Sequence, residues 1–167
     1  MRTAEFWIER LRLEPHPEGG WYRETYRSEG SHGFDASSPF GLPRSYATSI
    51  YYLLQRGDRS RLHRIFSDEQ WYFHAGSPLE VHCFPETGEP SRFTLGDDPD
   101  AGQALHSWVP AGQFFGACLA DSDAPDAYAL VSCVVAPGFD FRDFSFANRD
   151  ELITKFPAHA PIIEKLS

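Results

Sequence analysis

Residues 57–76, which read GDRSRLHRIFSDEQWYFHAG, have the pattern of two strands joined by a short turn. Five residues separate Gly57 from His63, five separate His63 from Glu69, and six separate Glu69 from Gly76. Side chains alternate between the two faces of a strand, so the spacing determines which of them share a face. The stretch therefore predicts a histidine and a carboxylate on neighbouring strands that face a common interior.

The chain beyond this stretch is a succession of short strand-like segments. Turns rich in Gly, Pro and Asp separate these segments, and no helical pattern lies between them. Closely spaced strands of this kind are typical of an antiparallel sandwich or barrel. A first strand is predicted over residues 21–28, and barrel strands are predicted over residues 48–54, 61–66, 69–75, 78–84, 92–95, 104–109, 113–120 and 128–136.

Helices are predicted only near the two ends of the chain. Residues 4–11 carry an apolar stripe of helical period and follow Thr3, which suits the N-cap position. Asn148 is a similar cap for a helix over residues 149–156, and residues 161–166 are predicted to form a last helical turn. We therefore predict an all-β fold with short N- and C-terminal helices.

A single domain over residues 1–167, with its core barrel at about 46–146, fits a chain of this length. Between the first strand and the barrel, residues 28–45 are rich in Gly, Ser and Pro. They are predicted to form a long mobile loop, and loops of this length in a compact domain are usually lids, partner contacts or disordered inserts.

The composition restricts the possible partners. Twenty-four acidic residues against fifteen basic ones give a net charge of −9, and only Lys155 and Lys165 are lysines. Such a field repels nucleic acid and anionic membranes, so we predict neither as a partner. The first 20 residues carry charges throughout, unlike a signal peptide, and no stretch approaches the roughly 18 apolar residues of a membrane span. We predict a soluble, cytoplasmic protein.

Three cysteines, Cys83, Cys118 and Cys133, each lie in an apolar run and form no CxxC pair. We predict that they are small buried hydrophobic residues. The alternative is a nucleophilic role for one of them.

Residues 57–76 resemble the first sequence motif of the cupins, in which Gly, His, a second His, Glu and Gly recur at this spacing. Ile65 stands in the position of the second histidine. PAGQFFGACL resembles the second cupin motif through Pro110 and Gly112, and Phe115 stands in the position of its histidine.

The flanking sequences resemble one cupin group in particular, the cupin-5 family. They are PHPEGGWYRETYRS at residues 15–28 and VAPGFDFRDF at residues 135–144. The resemblance implies a jelly-roll cupin barrel, that is, a double-stranded β-helix. It also implies a homodimer in which the strand GGWYRETYRS pairs with the sheet of the partner.

Two of the four cupin metal-ligand positions are apolar in this chain, whereas a catalytic metal needs about three protein ligands. His74, His82 and His106 could replace the missing ligands only by facing inward, and strand alternation puts His74 on the face opposite Glu69. We predict no bound metal and no cofactor. A metal-dependent dioxygenase remains an alternative if a histidine outside the motifs restores the site.

The predicted interior contains the polar side chains His63, Glu69 and Gln113. A histidine and a carboxylate in an apolar pocket have shifted pKa values and suit proton transfer. We predict His63 as a catalytic base, Glu69 as its orienting group or as an acid, and Gln113 as a polar anchor for a ligand. Alternatively, His63 and Glu69 satisfy each other inside a filled barrel. The apolar residues predicted to line the ligand site are Ile65, Trp71, Phe73 and Phe115.

Five arginines near this site favour an anionic ligand, because guanidinium groups bind phosphate and carboxylate in pairs of hydrogen bonds. Arg23 and Arg61 are the predicted ligand contacts, and the others are Arg27, Arg59 and Arg64. The alternative for each arginine is a solvated strand face with an acidic neighbour.

The arrangement without metal resembles the cupins that epimerise deoxysugar nucleotides, which use a histidine base and arginine contacts to a diphosphate. This resemblance implies an isomerase or epimerase acting on a sugar or sugar nucleotide. The tyrosine acid of those enzymes has no counterpart within the motifs here, and Tyr51, Tyr72 and Tyr128 are candidates. A non-catalytic ligand-binding or sensing cupin is the alternative function.

Overall fold

The computed structural model describes residues 2–35, 37–120 and 124–167. Three α-helices lie near the ends of the chain: α1 (Ala4–Leu11), α2 (Arg149–Lys155) and α3 (Ala160–Lys165). The strands are β1 (Glu14–Pro15), β2 (Trp21–Arg27), β3 (Ser31–His32), β4 (Arg44–Ser45), β5 (Thr48–Gln55), β6 (Arg59–Arg64), β7 (Asp68–Gly76), β8 (Leu79–Phe84), β9 (Ser91–Leu95), β10 (His106–Val109), β11 (Phe114–Leu119), β12 (Tyr128–Ala136) and β13 (Ser145–Phe146).

Two antiparallel sheets face each other and form the jelly roll. The six-stranded sheet has the order β1-β2-β5-β12-β7-β10, and the five-stranded sheet has the order β13-β6-β11-β8-β9. The all-β class and the terminal helices predicted from sequence are confirmed, and strand β12 has its predicted bounds. The largest shifts are two residues, for example at β6, which was predicted over residues 61–66.

The space between the sheets is filled by large apolar side chains that alternate along each strand. On β7, Trp71 and Phe73 are buried between the sheets with Glu69, whereas His74 is exposed on the outer face. Full burial of a large apolar side chain contributes roughly 1.5–3 kcal/mol. The alternation predicted for this strand therefore matches the structure.

The helices cover the outer faces of the sheets and begin at polar caps. The hydroxyl of Thr3 accepts a hydrogen bond from the amide of Phe6 at 3.3 Å, and Asn148 accepts from the first amides of α2. Helix α1 packs on the six-stranded sheet, where Ala4 contacts a buried cluster that includes Leu53. Helices α2 and α3 close the other side, since Leu152 and Ile163 pack with Leu62, Phe84 and Cys118.

The segment at residues 28–45, apart from Ala36, which lies outside the described residues, contains two short paired strands. Strand β3 pairs with β4, and the guanidinium of Arg44 is buried against the carboxylate of Asp143. Arg44 Nε donates to Asp143 Oδ2 at 2.8 Å, and its other nitrogens donate to carbonyl oxygens within the segment. Between these two short strands, residues 33–35 and 37–43 contain no helix or strand, as expected of a long loop, and its mobility stays a prediction. The buried ion pair was not predicted, because its two partners lie 99 positions apart.

Strand β2 pairs with β5 of its own chain, with an irregularity in register between Glu24 and Tyr26. Its other edge pairs with β1 only at Trp21 and Tyr22 among the described residues. Strand β2 is therefore part of the sheet of its own chain. Its pairing with the sheet of a partner and the homodimer both stay predictions. Within the described ranges, no helix is long and apolar enough to cross a bilayer.

Candidate functional site

A cavity of about 340 Å³ lies inside the barrel, between β2, β5, β6, β7 and β12. Its inner wall carries four ionisable side chains, His16, Glu18, His63 and Glu69. They come from two segments that are distant in sequence, residues 16–18 and residues 63–69, so the fold assembles the site. Only His63 and Glu69 of this set were predicted.

His63 lies on β6 with 3% of its surface exposed, and both of its ring nitrogens have partners. Nδ1 lies 2.6 Å from the carbonyl oxygen of Arg61. Because a carbonyl oxygen can only accept, Nδ1 carries a proton and donates it. Nε2 lies 3.1 Å from Oε2 of Glu18, and this contact must also contain a proton, held by the imidazole or by the carboxyl group. The His63–Glu18 pair is thus a shared-proton unit facing the cavity.

Glu18 is 7% exposed and was not predicted as a site residue. Its Oε1 accepts a hydrogen bond from the hydroxyl of Ser60 at 2.9 Å, and its backbone oxygen accepts from the amide of Arg61 at 3.0 Å. The next residue, Gly19, has φ of +112°, and a Cβ there would overlap the carbonyl oxygen of Arg59. The glycine therefore lets the chain lie directly against β6, which directs Glu18 into the barrel.

His16 accepts a hydrogen bond at Nδ1 from the backbone amide of Glu18, at 3.2 Å. Burial lowers the pKa of His16, and the nearby His63 lowers it further, while Glu18 raises it. The ring is accordingly neutral at pH 7, with its proton on Nε2. It packs edge-on against Tyr22, with ring centroids 4.4 Å apart.

Glu69 lies at the start of β7 and is 8% exposed. Burial, followed by the negative charge of Glu18, raises the pKa of Glu69 to about 8. Its carboxyl group is therefore protonated at neutral pH and can donate a proton. The thiol of Cys133 hydrogen bonds to Glu69, and burial keeps the pKa of Cys133 well above its ordinary value, so that the thiol is not a nucleophilic thiolate.

The exposed border of the cavity, which we call the rim, consists of Glu24, Arg27 and Asp140. Arg27 Nε donates to Glu24 Oε1 at 3.0 Å, and Nη2 donates to Oε2 at 2.7 Å. The irregular register within β2 places Arg27 opposite Thr48 and Glu24 opposite Ile50, so both side chains face the cavity. Asp140 is held in the same way by Arg142, whose hydrogen bond lowers the pKa of this carboxyl group.

The structure does not bring the two predicted anion contacts to the cavity. Arg23 is exposed and donates to the carbonyl oxygen of Leu11 at 3.0 Å. Arg61 donates to the carbonyl oxygen of Pro17 at 3.0 Å and lies over the ring of Phe146. Gln113 precedes β11 and does not line the cavity either, because the residues before a strand do not continue its alternation.

The predicted apolar lining lies in the packed interior of the barrel and not at the cavity wall. All four side chains belong to one buried core: Ile65, Trp71, Phe73 and Phe115. The indole nitrogen of Trp71 is buried there without a hydrogen-bond partner among the described residues. These residues therefore limit the depth of the cavity instead of bordering a ligand.

The three histidines considered as replacement ligands, His74, His82 and His106, do not border the cavity. His74 is exposed and contacts Ser132, His82 lies beside Glu80, and His106 is exposed. Within residues 2–35, 37–120 and 124–167, no three His, Cys, Asp or Glu side chains are grouped so that they could hold a metal ion. The absence of a metal stays a prediction.

The three candidate tyrosine acids lie elsewhere. Tyr72 donates to Gln70, and Tyr128 accepts a hydrogen bond from the indole of Trp7. Tyr51 packs beside His74 on the outer face of the sheet. The tyrosine that borders the cavity is Tyr22.

Residues 5–147 match the family described as cupin superfamily (DUF985). An uncharacterized protein of Saccharomyces cerevisiae is 31% identical over 150 residues, covering 84% of this chain and 73% of the yeast protein. A hypothetical protein from Leishmania major has a TM-score of 0.89 and 38% identity, with 99% of each chain covered. A Shewanella oneidensis protein has a TM-score of 0.85 and 40% identity, with 100% of this chain and 98% of that one covered.

Oxalate decarboxylase from Bacillus subtilis shares the fold alone. Its TM-score is 0.54 at 16% identity, and the match covers 92% of this chain and 36% of the enzyme.

Proposed function

Since this chain belongs to the cupin superfamily, in the family DUF985, we propose that it binds a small polar molecule in its barrel cavity and transfers a proton on it without a metal. The reaction class that suits these groups is isomerisation or epimerisation of a hydroxy-carbonyl compound such as a sugar. The observation that carries this proposal is the presence of a protonated carboxyl group and a shared-proton pair in one cavity.

The two groups have complementary roles. The carboxylate of Glu18, held by Ser60 and His63, is the base, and His63 positions it and stabilises its charge. Glu69 is the acid, because its pKa of about 8 keeps a proton on the carboxyl group at neutral pH. A general acid and base whose protonation states differ at the same pH can act together on one ligand.

The step is balanced within the cavity. The C–H bond next to the ligand's carbonyl breaks, and its proton passes to the Glu18–His63 pair. The electron pair of that bond forms a C=C bond, while the carbonyl oxygen takes the proton of Glu69 and becomes an enol. For an epimer, water supplies a proton to the other face of the same carbon, the enol hydroxyl returns its proton to Glu69 as the carbonyl forms again, and the Glu18–His63 pair releases its proton to water. For an isomer, the pair gives its proton to the former carbonyl carbon, and the hydroxyl on the neighbouring carbon gives its proton to Glu69 as it becomes the new carbonyl.

A non-catalytic ligand-binding protein is the second candidate, and one observation favours it. Both nitrogens of His63 are already engaged, with Arg61 and Glu18, so the ring has no free position for a ligand proton. A cavity that only binds would use His63 to fix Glu18 as a hydrogen-bond acceptor.

The test is solvent exchange at carbon. A panel of unphosphorylated aldoses and ketoses is incubated with the protein in D₂O, and deuterium at the carbon beside the carbonyl is followed by NMR. We expect exchange for at least one sugar, and a loss of about 10²–10⁴-fold in Glu69→Gln and Glu18→Gln. Glu89→Gln, an equal change at an exposed turn, is the control and should leave the rate unchanged. Binding of a sugar without exchange would support the second candidate.

We also propose a homodimer in the cytoplasm. The open edge of β2 beyond Tyr22 supports pairing with a second copy, because an unpaired strand edge offers amide and carbonyl groups to another chain. The buried free thiols of Cys83 and Cys133 agree with a reducing compartment. A monomer in sedimentation at micromolar concentration would contradict the dimer.

A further inference from the structure

Each charged side chain of the rim has a counterion: Glu24 and Arg27 pair with each other, and Asp140 pairs with Arg142. We propose that the Glu24–Arg27 pair is a specificity-determining element that makes the cavity accept uncharged ligands and exclude phosphorylated or carboxylated ones. The inference rests on the proposed function only in taking this cavity as the ligand site. It restricts the expected substrate to a hydroxy-carbonyl compound without a phosphate or carboxylate group. Sugar nucleotides and sugar phosphates are therefore excluded as substrates.

Arg27 is the arginine that borders the cavity, and each of its three guanidinium nitrogens has a partner. Nε and Nη2 donate to the two carboxylate oxygens of Glu24. Nη1 donates to the carbonyl oxygen of Phe139 at 3.2 Å and contacts the hydroxyl of Ser45 at 3.4 Å. These contacts use four of the five N–H groups of Arg27, so an anion that binds the guanidinium through two hydrogen bonds must displace at least one of these acceptors.

Displacement would not remove the negative charges beside the anion. Glu24 would remain next to it, and Asp140 borders the same cavity. Asp140 already has its own counterion, because Arg142 donates to it from Nε at 2.8 Å. An anion at Arg27 would thus lie in the same cavity as the carboxylates of Glu24 and Asp140, and repulsion between like charges weakens binding.

The inner wall is balanced as well. Glu18 shares a proton with His63, and His16 is neutral because burial lowers its pKa. Glu69 is uncharged at neutral pH since its pKa is about 8. What the wall offers a ligand is a set of polar groups without net charge, including the hydroxyl of Thr48, which suit hydroxyl and carbonyl oxygens.

The two arginines that the sequence predicts as anion contacts bind backbone carbonyl oxygens outside the cavity. Arg23 binds the carbonyl oxygen of Leu11, and Arg61 binds that of Pro17. Neither borders the cavity. Among the described residues, the cavity therefore contains no guanidinium group that is free of a carboxylate.

The experiment uses inorganic phosphate as the probe. Binding is followed by NMR through the imidazole signals of His16 and His63 in the full-length wild type and in Glu24→Gln. We expect the variant to bind phosphate at least about tenfold more tightly than the wild type, equivalent to about 1.4 kcal/mol. The reason is that Arg27 loses its carboxylate partner and the cavity loses one negative charge, so its net charge rises by one.

Two further variants make the result specific. Glu29→Gln removes one charge at an exposed position outside the cavity and should bind phosphate like the wild type. Arg27→Gln should bind no phosphate, because Glu24 then has no counterion. Thermal denaturation checks that each variant folds.

Wild type that binds phosphate in the cavity as tightly as Glu24→Gln would overturn the inference, and so would a variant without any gain. Either result is independent of the deuterium-exchange test. Absence of deuterium exchange in the wild type would contradict the proposed reaction and leave the charge selection intact.

Discussion

The packed interior and the cavity are built by the same strands, but apolar side chains fill the interior whereas ionisable side chains line the cavity. Strand β7 contributes Trp71 and Phe73 to the packed interior and Glu69 to the cavity. Phe115 pairs in register with His63, so one apolar ring and one ionisable ring lie side by side, 4.2 Å apart. Of the four positions that resemble cupin metal ligands, Ile65 and Phe115 lie in the packed interior, whereas His63 and Glu69 border the cavity. The difference teaches that one strand can supply both packing and a polar wall.

The largest expected effect lies in the packed interior. Trp71→Ala removes a side chain that is 1% exposed and leaves a cavity that its rigid neighbours cannot fill. We expect the free energy of unfolding to fall by about 3–5 kcal/mol, measured by urea denaturation. Trp108→Ala is the matched control, because Trp108 is 57% exposed, and it should change stability by no more than about 0.5 kcal/mol. Equal effects would mean that Trp71 does not belong to a sealed core.

The next effect concerns the pH dependence at the cavity wall. The pKa of Glu69 is about 8 in the folded protein, against an ordinary value of 4.5. The folded state therefore holds this proton more tightly than the unfolded state, so its contribution is complete below about pH 4.5 and is lost as the pH rises to about 8. At pH 7 the loss is roughly 3 kcal/mol, since each pH unit above 4.5 costs about 1.4 kcal/mol.

Glu69→Gln should abolish this dependence, because an amide has the shape of the protonated carboxyl group and does not ionise. We expect the variant to match the wild type near pH 5 and to exceed its stability near pH 8. Unfolding free energies measured from pH 5 to 9 decide the matter. A wild type whose stability is level across that range would contradict the assignment of a protonated Glu69.

Much of the packed interior could be predicted from the sequence, whereas the cavity could be predicted only in part. Alternation along β6 and β7 is a local property, so the directions of His63, Glu69 and Trp71 followed from counting residues. Glu18 lies in a segment whose prolines and glycines predict only the end of a helix. The signal that could have found it is the pair Gly19 and Gly20, whose positive φ angles let the chain approach β6.

The choice of Arg23 over Arg27 failed for a different reason. Strict alternation along β2 puts Arg27 on the face of Arg23, and a single irregularity between Glu24 and Tyr26 reverses this for the last residues. A bulge of this kind depends on pairing with β5 and not on the local sequence. Gln113 was misplaced because the strand begins one residue later, at Phe114.

The smallest expected effect is that of Glu18→Gln, and the matched reference is the same kind of change at a second buried carboxylate, Asp143. Asp143 is 5% exposed and Glu18 is 7% exposed, but Asp143 is enclosed with Arg44 whereas Glu18 borders the cavity. Asp143→Asn leaves the guanidinium of Arg44 buried without its counterion and should cost about 3–5 kcal/mol. Glu18→Gln should cost only about 1 kcal/mol, because water in the cavity can replace the lost partner of His63. Urea denaturation of both variants at pH 7 measures the difference, and the same preparation of Glu18→Gln serves the exchange assay. If Glu18→Gln is as destabilising as Asp143→Asn, the His63–Glu18 pair is a structural ion pair of a closed barrel, and the proton-transfer proposal loses its base.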